Sequence, residues 1–210
     1  ALRETSVYFG WHANPQFSHP VDIDARVPID TSEMHDRLVD IGDIPLEGMP
    51  ATIAAQAIRS TMHQLRDTNA SAILLGGDDS IVCPAVAEAS KDGPVGFIQI
   101  GGRLLGAMSA EKGDQRGDCS PLAYLLAEEC IAPRTTAVLA STGRAGMEFL
   151  REFKGAGGQI WSASDVTQAE PGEIERAAQK FAEVAGSLHV HFDVSAFRPS
   201  LHGMSERPAF

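Results

Sequence analysis

Short apolar runs alternate with stretches whose apolar residues recur at helical spacing, and the alternation persists along the chain. Runs such as Val95-Gly-Phe-Ile-Gln-Ile100 and Thr135-Thr-Ala-Val-Leu-Ala140 have the length and apolar continuity of strands covered on both faces. Between such runs, Ala54, Ile58, Thr61, Met62 and Leu65 form one helical stripe behind Pro50. Pro171 to Ala185 is a helix with Pro near its start and Gly186 just past its end. Parallel strands cannot be joined by a tight hairpin; they need a crossover, usually helical. The alternation therefore predicts an α/β domain, a mostly parallel sheet with helices on both faces and right-handed connections. The predicted strands are Val7–Phe9, Ala72–Leu75, Val95–Ile100, Thr135–Ala140, Gln159–Ser162 and Leu188–Val194, with Leu38–Ile41 a short strand or bridge. Further helices are predicted over Ser80–Ser90, Pro121–Cys130 and Arg144–Ala156. Two segments, Trp11–Pro28 and the Gly-rich Gly101–Cys119, read as long loops.

Composition adds limits. With 210 residues, 43% of them hydrophobic and 21% charged, the chain suits one globular domain over residues 1–210. A net charge of -11 without any Lys/Arg-rich run disfavours nucleic acid and anionic membranes as partners. No apolar stretch approaches a membrane span, and the first residues lack a signal-peptide core. Cys83, Cys119 and Cys130 are odd in number and have no C-x-x-C spacing, which fits reduced thiols in the cytoplasm.

Two places carry polar residues at the carboxyl end of a predicted strand, where open α/β sheets put their ligands. The first is Gly76-Gly77-Asp78-Asp79-Ser80, which local chemistry alone also explains as a turn with Asp79 or Ser80 capping the next helix. The second is His189-Val-His-Phe-Asp-Val-Ser195, where His189, His191 and Asp193 alternate and so share one face of a strand. Asp79, His191 and Asp193 together offer an alternative three-ligand site for a single metal ion. The nearby serines lack a G-x-S-x-G elbow, and Cys83 reads as a packed, inert thiol within a helix.

These segments resemble a known family. Gly76-Gly77-Asp78-Asp79-Ser80 is similar to the G-G-D-H-S motif of the ureohydrolases, the arginase and agmatinase family. Phe192-Asp193-Val-Ser195-Ala-Phe-Arg198-Pro199 resembles that family's S-x-D-x-D-x-x-D-P, and Asp40-Ile-Gly-Asp43 its early D-x-G-D. Gly101-Gly-Arg103-Leu-Leu105 stands where the family has D-A-H-x-D. The resemblance covers nearly the whole chain in order, and it implies a three-layer α/β/α arginase-like fold.

The resemblance also implies two manganese ions that activate a hydroxide against a guanidinium carbon. Carried over position by position, the family's ligands become Asp79, Gly101, Arg103, Leu105, Asp193 and Ser195, while Arg198 replaces the last motif Asp. Asp118-Cys119 replaces a downstream His-Gly. Two of six positions keep a suitable donor, and Arg103 brings a permanent cation to one of the others. The expectation is that no paired metal site forms, that the catalytic residues cannot be named, and that no cofactor is held. Arg103 is expected to turn inward and pair with Asp193, Asp79 or both.

Residues expected to line a binding pocket are Asp79, Arg103, Asp118, His191, Asp193 and Arg198. Family members continue into a further strand and helix, and that strand lies between those ending at the first and third motifs. With the chain ending at Phe210, the unit is expected to be missing, so that either the two flanking strands close up or the gap recruits a partner, a second copy or a related subunit. The leading functional expectation is a non-catalytic structural or regulatory subunit. Alternatives are an active C–N hydrolase of linear amidines with an unorthodox site, and a metal-free module that binds a small guanidino ligand.

Overall fold

The computed structural model describes residues 21–22, 27–28, 39–66, 68, 70–76, 78–101, 121–141, 145–170 and 172–193. Contacts divide the chain into two compact units, Ala1–Asp43 and Ile44–Phe210. In the first, β1 (Val21–Asp22) and β2 (Val27–Pro28) pair antiparallel. The predicted strand Val7–Phe9 lies outside the described residues. Val39, Asp40 and Ile41 belong to no strand, and Val39 and Ile41 are exposed, contrary to expectation.

The second unit alternates helix and strand. Its elements are α1 (Ala51–Arg66), α2 (Val82–Ala89), β3 (Val95–Ile100), α3 (Pro121–Ala127), β4 (Ile131–Ser141) and α4 (Met147–Gly155). They continue with β5 (Gln159–Ser162), α5 (Ala163–Gln168), α6 (Glu173–Ala185) and β6 (Ser187–Phe192). The four strands form one parallel sheet in the order β5-β4-β3-β6. Among the described residues no helix is long and apolar enough to cross a membrane.

Alternation along the central strands builds the layers. Val95 and Phe97 of β3 and Val138 of β4 face Val82 and Val86 of α2, Leu122 and Leu125 of α3, and Phe153 of α4. Their neighbours Ile98, Ala137 and Leu139 face the other way, onto Phe181 of α6, with Val166 of α5 and Ile174 and Ala178 of α6 beside it. Each fully buried side chain of this kind contributes roughly 1.5–3 kcal/mol. Helices therefore cover both faces, the three-layer α/β/α arrangement expected from the pattern. At Gly96, a Cβ would lie 3.0 Å from Leu188 Cδ1 and 3.4 Å from the Phe181 carbonyl oxygen, so β3 needs a glycine for α6 and β6 to approach.

One element differs from expectation in a way that bears on function. Ala72–Leu75 is not a buried strand: residues 70–76 join no strand, and Ile73 and Leu75 are 78% and 75% exposed. An apolar run is buried as a strand only if a neighbour accepts its ladder and layers cover both faces. Both edges of β3 are taken, by β4 and β6, and the run is not paired with the outer edge of β6.

Candidate functional site

β3 and β6 run side by side with Gln99 opposite His191 and Ile100 opposite Phe192, so their carboxyl ends finish together. The ladder continues one step, the Asp193 N–H donating to the Ile100 carbonyl at 2.9 Å. Above this edge the chain enters α2 through a 3-10 turn, Asp79–Ile81. The cap of that turn is Asp78, not Asp79 or Ser80: its carboxylate accepts from the Ser80 N–H at 2.9 Å and from the Ser80 hydroxyl. Asp79 is thereby left without a capping task and stands over the sheet.

The result is a convergence of Asp79, His191 and Asp193. Each offers one ligand atom, and the three atoms lie within 4.8 Å of one another. His191 Nε2 is 3.2 Å from Asp79 Oδ1; the His191 side chain is 11% exposed and that of Asp79 48%. The contact lacks the angle of a hydrogen bond, and Nε2 remains a buried atom with no hydrogen-bond partner. Such orphaned polar atoms are uncommon in folded proteins and call for an explanation.

The neighbours on the same face differ in character. His189 stacks on Phe97 with ring centroids 5.8 Å apart, and burial, reinforced by the charge of His191, pushes its pKa down to about 4. That imidazole packs on the Phe97 ring and is not among the converging donors. Gln99, 1% exposed, donates from Nε2 to the Gly101 carbonyl at 3.2 Å while its Oε1 has no partner. Sequence reasoning missed Gln99, because a polar residue inside the apolar run Val95–Ile100 signals nothing by itself.

Of the other expected site residues, Gly101 ends β3 with φ of +81°, its N–H donating to the Leu139 carbonyl at 2.8 Å. It carries no side chain to offer. Arg103, Leu105, Asp118, Cys119, Ser195 and Arg198 lie outside the described residues, and with them the expected pairing of Arg103 with the carboxylates. Cys83 packs against the core as expected, as does Cys130, and neither is in a disulfide.

Several solved structures share this architecture. Formimidoylglutamase from Bacillus subtilis subsp. subtilis str. 168 superposes with a TM-score of 0.64 at 20% identity, covering 78% of this chain and 52% of that one. Proclavaminate amidino hydrolase from Streptomyces clavuligerus gives 0.63 at 20% identity, with 77% and 53% covered. Arginase from Bacillus subtilis gives 0.61 at 16% identity, with 77% and 62% covered. The chain thus spans between about half and three-fifths of the length of these structures, and at such identities the likeness speaks for the fold. No curated protein sequence matches significantly. The sequence profile of the arginase family, however, matches residues 12–203. The ordered motifs, the parallel sheet and that match agree: this chain belongs to the arginase family.

Proposed function

We propose that this chain is a ureohydrolase-family protein that does not carry out two-metal hydrolysis, and that it serves as a structural or regulatory subunit in the cytoplasm. One observation carries the reading. The end of β3, where the family pattern begins its second ligand motif, offers Gly101, which has no donor, and among the described residues the donors that converge are three, Asp79, His191 and Asp193. Two hard divalent ions each need several oxygen or imidazole ligands, and three protein donors do not supply two coordination shells. The described residues therefore do not by themselves fit a manganese pair.

The purified chain, supplied with manganese and a panel of guanidino and linear amidine compounds, is expected to release urea or ammonia no faster than buffer. Turnover that a chelator abolishes would overturn the reading. A second reading, C–N hydrolysis supported by one ion, is favoured by the closeness of the three donors. The same assay separates the two, since only the second predicts turnover.

A further inference from the structure

Little apolar surface holds α1 to the rest of the fold. Only Ile58 of its 16 residues is fully covered. The helix packs on α2 and touches the 3-10 turn Asp79–Ile81. Its charged side chains, Arg59, His63 and Arg66, are all basic, and two of them meet carboxylates. His63 Nδ1 is 3.2 Å from Glu88 Oε1, and Arg66 Nη1 donates to Asp92 Oδ2 at 2.9 Å. Both contacts join the last turn of α1 to the end of α2 and the turn that follows it. The two helices therefore run in a common direction, with the turn at Asp79–Ile81 beside the earlier part of α1.

The two pairs are unequal. Arg66 and Asp92 are 35% and 60% exposed, and ion pairs so wetted contribute little. The Glu88 side chain is 4% exposed, so its charge depends on the cations beside it, Lys91 and His63. Lys91 belongs to the turn that follows α2 and satisfies Glu88 without tying α1 to it. Only His63 reaches across, and imidazole is the side-chain class whose charge changes between about pH 5 and pH 8. We propose that His63 and Glu88 form a pH-sensitive latch, which fastens α1 over α2 when the imidazole is protonated and loosens it when the imidazole is neutral. Among the described residues the other charged groups near the latch are Lys91 and Asp92 beside Glu88, Arg59 and Arg66 on α1, and Asp79 toward the far end of α2. The sign follows from the pair. Glu88, held below its ordinary value, keeps its negative charge throughout this range, so loss of the proton from His63 removes an attraction and docking weakens as pH rises. Because α1 also bears on the turn that sets Asp79 over the sheet, the loosening reaches the converging donors, whatever they bind.

The test is hydrogen exchange on the full chain at about pH 6 and about pH 8. Each observed rate is divided by the intrinsic rate at that pH, β3 serves as the internal reference, and circular dichroism checks folding. Protection of α1 should fall by about two- to fivefold between the two conditions, the scale of a half-exposed ion pair, while that of β3 holds. His63→Gln, at a half-exposed position, should show the lower protection at both pH values. His63→Lys, with a cation at both, should show the higher protection at both. The turn Asp79–Ile81 should follow α1 in each case. Equal protection of α1 in the parent at the two pH values overturns the latch without any variant, and so does a fall that persists in His63→Gln. A turn at Asp79–Ile81 that ignores the loosening of α1 overturns the coupling to the converging donors.

Discussion

Glu88 shows how a single charged residue is accommodated inside this fold. It lies on α2 with only 3% of its surface exposed, between Lys91 one turn on and His63 of α1, whose Nδ1 is 3.2 Å away. The Lys91 hydrogen bond, against the opposing effect of burial and with help from the charges of Lys91 and His63, holds the Glu88 carboxyl below its ordinary value of 4.5. A carboxyl lowered on folding contributes stability that is complete above its unfolded pKa and is lost as pH falls through the folded one. Glu88→Gln should therefore lower the melting temperature at neutral pH and lose less than the parent between about pH 5 and pH 3. Parallel acid limbs in thermal melts of the two proteins would contradict this. Residues like Glu88 and Gln99 are also where sequence falls silent. A polar side chain within an apolar pattern gives no hint whether it is satisfied, whereas Asp79 and Asp193 were legible because they follow strand-like runs at their polar ends. Asp78 and Asp79 are adjacent and alike, and only the backbone turn decides which one caps.

Elements were legible in proportion to how local their causes are. β3 and β5 match the sequence reading residue for residue, since each is an apolar run ended by turn chemistry. The six-residue helix α5 was missed, although it carries a local signal: Ser162 and Asp165 form a reciprocal capping box. Ala72–Leu75 failed for the opposite reason. Its composition is that of a buried strand, but burial depends on lateral neighbours that no local pattern encodes. Hydrogen exchange should rank these elements. Amides of β3 and β4, paired on both sides, are expected to exchange slowest, those of residues 70–76 within the fastest class, and β6 in between because among the described strands only one side of its ladder is paired. Protection of residues 70–76 equal to that of β3 would mean that the run is paired in solution after all.

At the scale of the whole molecule the same open edge has a further consequence. Among the described strands β6 is an outer one, and Val190 and Phe192 are 52% and 51% exposed on it; Ile73 and Leu75, more exposed still, add to the apolar surface outside the cores. Natural proteins protect exposed edge strands with charge, proline or a covering element, because an apolar edge recruits another chain. The net charge of -11 opposes indiscriminate aggregation, so the association it permits is a limited one. A subunit role requires association of this kind, and a second copy is the partner that a purified sample always contains. Light scattering at micromolar concentration should therefore report a mass above that of one chain. Val190→Lys adds a charge at an already half-exposed edge position, should leave the circular dichroism spectrum unchanged, and should shift the mass to the monomer. A monomer in the parent protein across the micromolar range would remove self-association, and a mass unaltered by Val190→Lys would move the contact away from β6.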